Sequence, residues 1–208
     1  MEPQRFKAPY ITQEAAWAAA DQIRALHWPS GDLPVEVEEI LWKVGLRLEL
    51  IGSLKKDLDV DAWLKGDLNR IIVDLEDYMD DRMQNRMRFS IAHELGHFIL
   101  HRGLYEKIEI ASLEDWIEFV QAVPEDQYSL MEWHAYEFAG RLLVPLDRLK
   151  HEFAQAVEKA KIKGFVDWDA SGDLIKGYMA NSICRVFGVS REIIEKRIIR
   201  ERLRLPPA

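Results

Sequence analysis

Apolar positions recur at helical spacing over most of this chain and at strand spacing over one short stretch. Between Thr12 and His27, Ala15, Ala16, Ala19, Ile23 and Leu26 mark one side of a helix, with Thr12 placed to cap its first turn. Pro29-Ser30-Gly31-Asp32 breaks that pattern. Pro34 suits the first turn of a second helix, whose Val37, Ile40, Leu41 and Val44 share a face and whose end is marked by Gly45. The period then changes to two. Leu46, Leu48 and Leu50 alternate with charged residues, as in a half-buried strand. Val60 to Lys65 and Asn69 to Asp74 flank Gly66-Asp67, which reads as a hairpin turn, and the unbroken Ile71-Ile72-Val73 predicts a strand covered on both faces.

Helical spacing returns near Asp80 and persists. The pattern predicts a helix of about twenty residues ending at Gly103, then a weaker one from Ser112 to Val123, ended by Pro124. Another spans Ser129 to Val144, the next is opened by Pro145 and reaches Lys161, and two more lie between Asp173 and Leu203, separated by Gly188. This order predicts an α+β domain, mostly helical, with a small three-stranded sheet preceding the long helix. The whole chain, 1–208, reads as one domain, with 1–33 as an N-terminal helical extension and 173–205 as a C-terminal helical pair.

Composition narrows the function classes. With 48% hydrophobic and 31% charged residues the chain is globular rather than disordered. Its net charge of −8 repels phosphate backbones, so direct nucleic-acid binding is not expected. A single cysteine, Cys184, excludes an internal disulfide and reads as a small apolar residue on a helix. The start Met1-Glu2-Pro3-Gln4-Arg5 has no signal pattern, and no apolar run reaches the ~20 residues of a membrane helix. A cytoplasmic protein without membrane contact is the expectation.

The chemistry concentrates at His93-Glu94-Leu95-Gly96-His97. Four residues apart on a helix, the two imidazoles lie on one face and can share one ion at ~2.0–2.1 Å from each nitrogen. Glu94 is offset along the same turn, placed to act as general base toward a water at the open coordination position. The apolar partners Phe89, Ala92, Leu95, Ile99 and Leu100 make the other side of the helix. A zinc centre of this kind needs a third protein ligand. His101, another turn along, is ~6 Å further down the axis and reads as a helix-end residue favoured by the dipole. On the Ser129–Val144 helix, Glu132 shares a face with Ala135, Tyr136, Ala139 and Leu143, and the small alanines allow close approach to the HExxH helix. Glu137 lies on another face, about 140° away. Spacing favours Glu132 and leaves the choice open.

Two blocks then carry a resemblance. Arg88-Phe89-Ser90-Ile91-Ala92-His93-Glu94-Leu95-Gly96-His97-Phe98-Ile99-Leu100-His101 closely resembles the RFTxAHELGHxxLH block of the ImmA/IrrE metallopeptidases. Glu132-x-x-Ala135-x-x-Phe138-Ala139-x-x-Leu142-Leu143-x-Pro145 is similar to that family's ExxANxFAxxLLMP. The ending Val186-Phe187-Gly188-Val189-Ser190 agrees too, so the likeness covers roughly residues 34–200. The resemblance implies a zincin-like fold, Zn²⁺ or another divalent metal held by His93, His97 and Glu132, and catalysis by Glu94. It also implies a protein substrate, a helix-turn-helix transcriptional repressor of mobile-element or stress-response genes. The chain departs from the pattern at Tyr136, where the family has Asn, at Gly140 in place of Ala and at Val144 in place of Met. Tyr136, one turn from Glu132, reads either as a donor to a tetrahedral oxyanion or as a packing residue.

Two rivals use the same residues. A non-enzymatic protein-binding regulator would keep the fold without needing a general base such as Glu94. A DNA-binding module would use the Phe187–Ser190 elbow and the basic final stretch, Arg191, Lys196, Arg197, Arg200, Arg202 and Arg204. A solvated helix face is the simpler reading of those cations. The acidic group Asp74, Glu76, Asp77, Asp80 and Asp81 lacks the glycine and spacing of a calcium loop and reads as a helix start.

Overall fold

Continuous apolarity marks the central strand as expected, whereas the first strand lacks alternating burial, its Leu50 being exposed. In the computed structural model, which describes residues 6–108, 112–163 and 172–204, β3 (Arg70–Asp74) is the central strand and its Ile71, Ile72 and Val73 are all buried. It pairs in parallel with β1 (Arg47–Ile51), Leu48 opposite Ile71, and antiparallel with β2 (Ala62–Leu64), Trp63 opposite Ile72. The sheet order is β1-β3-β2, which leaves β2 as an edge. Between β1 and β2 the chain makes a short helix, α3 (Leu54–Leu58), that the sequence pattern does not signal.

The acidic group after β3 has a capping role. Buried Asp74 accepts the N–H of Asp77 and of Lys55, each at 2.8 Å, and so starts the short α4 (Leu75–Met79) while tying it to α3.

At the N-terminal side, α1 (Gln13–His27) is capped by Thr12, whose hydroxyl accepts the Ala15 N–H at 3.2 Å. The second helix, α2 (Val37–Lys43), starts later than the proline suggests, with Glu36 at its N-cap. The long α5 (Gln84–Tyr105) also departs from expectation: Gly103 lies inside it. The ring of Tyr105, buried and stacked on Trp116, extends the helix past the ~1 kcal/mol penalty of a helical glycine. Trp116 belongs to α6 (Leu113–Ala122), started by a reciprocal Ser112–Asp115 capping box.

Beside α5 runs α7 (Glu125–Leu143), with Pro124 rather than Ser129 at its start. Their contact is very close at Gly96, where a Cβ would stand 3.1 Å from the Ala135 Cα and 3.2 Å from the Phe138 ring. Then follow α8 (Leu146–Ile162), α9 (Gly172–Phe187) and α10 (Arg191–Arg200). Gly188 joins the last two at φ +59°, and its carbonyl accepts from Arg88 Nη1 at 3.1 Å. The positive φ disfavours any other residue there, and a Cβ would also have to displace the Arg88 guanidinium, 2.4 Å away. On α9, Cys184 is only partly covered, its thiol donating to the Asn181 carbonyl.

The cations of α10 divide: Arg191 and Lys196 keep to a solvated face, whereas Arg197 and Arg200 turn inward. Arg197 is buried and pairs with Glu201, while Arg200 pairs with the buried Glu137 of α7. Arg141 of α7 bridges Glu201 and Asp21 of α1, both at 2.6 Å. These carboxylates sit where water is scarce, so the guanidinium groups are drawn inward and α1, α7 and α10 are tied together. Arg191 and Lys196 pair with Glu195 and Glu192 on their own helix.

This network makes stability acid-sensitive. Burial pushes the Asp21 carboxyl up, but hydrogen bonds and charge from Arg141 and Arg24 outweigh it and leave its pKa below the ordinary 3.8. A depressed carboxylate stabilises the fold above its unfolded pKa and loses that contribution as pH falls through the folded one. Asp21→Asn is therefore expected to cost about 1–2 kcal/mol at pH 7, with allowance for its part-exposed side chain. The gap to the parent protein should narrow as pH falls below the ordinary carboxylate value of 3.8. Urea unfolding at pH 7 and at a pH below that value measures it; an equal gap at both would contradict the assignment.

Candidate metal centre

One turn apart on α5, His93 and His97 bring their Nε2 atoms to 3.1 Å from each other. From α7, Glu132 extends its carboxylate over both: one oxygen is 3.0 Å from His93 Nε2, the other 3.3 Å from His97 Nε2. Ligand atoms ~2.05 Å from a shared tetrahedral ion stand ~3.3 Å apart. The observed edges are within a few tenths of that, so these residues fit a zinc-sized cation. The close approach at Gly96 and Ala135 is what lets a side chain of α7 reach the imidazoles of α5. His97 is enclosed, while His93 and Glu132 are partly open on the cleft side.

Glu94 also lies near: its carboxylate and the two imidazoles have ligand-type atoms within 4.8 Å of one another. Its position differs in kind from that of Glu132. One Glu94 oxygen accepts the backbone N–H of Leu64 at 2.8 Å, which anchors it to the edge strand β2 rather than across both rings. Burial, with the nearby Glu132 charge, raises its pKa more than His97 and His93 lower it, so it is raised above the ordinary 4.5. Glu132 goes the other way. Burial raises its carboxyl, but hydrogen bonds from His93 and His97 prevail and hold it well below the usual carboxylate range. Two neighbouring carboxylates thus have opposite tendencies, one prepared to take a proton and one to stay charged.

A cleft of about 300 Å³ opens over these groups. The segment from Asp59 to Trp63 forms one wall, with Phe89, Trp116 and Tyr128 on the others. Tyr128 stands one turn before Glu132 on α7, and burial, followed by the Glu132 charge, raises its hydroxyl. Neither Tyr128 nor Trp116 is singled out by the sequence blocks. Tyr128 could have been found from its i−4 spacing to Glu132; Trp116 approaches through tertiary packing of α6 alone.

Other carboxylates and rings fall elsewhere. Glu137 turns away from α5 and accepts from Trp17 Nε1 at 2.8 Å and Gln13 Nε2 at 3.1 Å, besides pairing with Arg200. Tyr136 packs on Phe89 and under Lys196 and Arg200, and does not line the cleft. His101 is not an exposed helix-end residue. It is buried, with Nδ1 3.1 Å from His97 Nδ1 and Nε2 3.2 Å from Nδ1 of the equally buried His134. The apolar packing of α5 and α7 covers it, and burial pushes its pKa down to about 2.

The model of the IrrE N-terminal-like domain, a peptidase family, matches residues 78–198, more than half of the chain and all of the helices that carry the centre. The chain belongs to this family. No curated protein matches the sequence. As an IrrE N-terminal-like protein it has the α+β zincin-like architecture expected from its sequence and belongs among metallopeptidases, with a His-Glu-His group available for the metal. Among the described residues no helix is long and apolar enough to cross a membrane.

Proposed function

We propose that this protein is a zinc-dependent endopeptidase with His93, His97 and Glu132 as metal ligands and Glu94 as general base. The observation that carries this reading is the convergence of two imidazoles and one carboxylate, from two helices, at tetrahedral ligand spacing. When bound, a zinc ion supplies Lewis acidity that lowers the pKa of water and polarises a peptide carbonyl. The chain supplies the proton handling. Glu94, fixed by the Leu64 N–H and raised by burial, takes a proton from the attacking water and delivers it to the leaving amine. The edge strand β2 and the aromatic walls of the cleft exclude bulk water and offer room for an extended peptide.

The proposed substrate is a helix-turn-helix repressor protein, in keeping with the ImmA/IrrE resemblance, and the proposed setting is the cytoplasm. Direct DNA binding has no part in this reading, since the principal cations of α10 are engaged in ion pairs. The test has two arms. Glu132→Ala should weaken Zn²⁺ binding by more than the ~10–100-fold that an outer partner contributes, measured by chelator competition. The parent protein loaded with Zn²⁺ should cleave a candidate repressor at a discrete bond, read by mass spectrometry and stopped by chelator. Unchanged affinity in Glu132→Ala would remove the third ligand from the proposal.

A further inference from the structure

Behind His97, itself a proposed ligand, lie two more histidine rings that the reaction does not itself require. His97, His101 and His134 run from the cleft into the core, joined Nδ1 to Nδ1 at 3.1 Å and Nε2 to Nδ1 at 3.2 Å. His101 and His134 are 1% and 0% exposed, so a ring nitrogen there needs a partner inside the fold. The rings of His101 and His134 stand 5.4 Å apart, and His134 comes from α7, the helix that also carries Glu132.

A hydrogen bond between two ring nitrogens requires one protonated and one bare atom, and this fixes the whole row from one end. On His97 the Nε2 faces Glu132 and His93, so in a metal-binding role it must be bare, and the proton stands on Nδ1. That N–H can only donate to a bare Nδ1 of His101. His101 then carries its proton on Nε2 and donates to Nδ1 of His134. The last proton stands on the buried His134 Nε2, and the backbone of Ile11 lies within hydrogen-bonding reach of this ring. The opposite order of protons would place a hydrogen on the His97 nitrogen that faces Glu132.

We infer that His101, backed by His134, is a positioning residue that holds His97 in the one tautomer and ring orientation able to bind the metal. This rests on the metal reading proposed above. In most metal sites the second nitrogen of a ligand histidine donates to a carboxylate or carbonyl. Here a neutral imidazole takes that place, with a second imidazole fixing its own tautomer.

The experiment uses the full chain and Zn²⁺ alone. Long-range ¹H–¹⁵N NMR of the Zn²⁺-loaded protein should show His97 protonated at Nδ1 and His101 and His134 at Nε2. His101→Leu, which keeps bulk but removes the acceptor, should weaken Zn²⁺ binding about 10–100-fold. His101→Asn, whose Oδ1 falls near the position of Nδ1, should recover most of that affinity although it fills the site less well. A purely structural role predicts the reverse ranking, with Leu the better replacement. Equal affinity of the Leu variant and the parent, or His101 protonated at Nδ1, overturns the inference; should His101→Leu not fold, the tautomer assignment and the Asn variant still decide it. A parent protein that takes up no Zn²⁺ at all refutes the metal reading itself, an outcome seen before any variant is made.

Discussion

Glu94→Gln is expected to keep its zinc and to lose peptide cleavage by about 10²–10⁴-fold, the usual contribution of a positioned general base. The reason lies in what the side chain touches. Its oxygen accepts from the Leu64 N–H, and the carbonyl end of a glutamine can accept that bond equally well. The fold and the ligand triangle of His93, His97 and Glu132 therefore stay in place. What disappears is the ability to hold a proton between water and leaving amine, because an amide is not a base at neutral pH. Comparing zinc content with kcat/KM on the same preparation separates the two effects. Loss of zinc together with activity would make Glu94 a ligand rather than a base, and full activity would remove it from the reaction.

The second large effect is expected at Gly96. A methyl group there stands 3.1 Å from backbone atoms of Ala135 and 3.2 Å from Phe138, so neighbouring atoms must yield by a few tenths of an ångström. For Gly96→Ala, overpacking of ~1–3 kcal/mol is set against a gain of ~1 kcal/mol in helix propensity, so the net loss is small. Gly96→Val adds two more carbons against backbone that cannot rotate away, and a loss of at least ~3 kcal/mol is expected. Because the same contact sets the reach of Glu132, zinc affinity should fall in step with stability. Denaturant midpoints and chelator competition across the parent, Ala and Val series measure both. A Val variant as stable as the parent would show that α5 and α7 are further apart than described.

Much of this was legible in the residues. Among the described residues, the change from period 3.6 to period 2 and back located every strand and all helices but α3 and α4, and Ile71-Ile72-Val73 announced the central strand of the sheet. The HExxH spacing marked the proposed ligands on α5, and the small residues Ala135 and Ala139 anticipated the close approach of α7. The short α3 and α4 escaped, being too brief for periodicity to register. The largest misreading concerned charge. Arg197, Arg200 and Glu137 look like surface residues in a sequence, and nothing local reveals that each meets an opposite charge inside the fold. His134 escaped for a similar reason. Two residues from Glu132 on a helix, it projects about 200° away, and only the three-dimensional path of α5 brings His101 to it.

The burial of Glu137 has a bearing on how the two ends of the chain depend on each other. Its countercharge comes from α10, and its remaining hydrogen bonds come from Gln13 and Trp17 near the other terminus. Removing the chain after Ser190 would therefore leave the buried Glu137 anion with hydrogen bonds but without its Arg200 countercharge, on the helix that also bears Glu132. Trimming either terminus to obtain a minimal catalytic fragment would thus unsettle the zinc pocket from behind, although no described residue of either end lines it.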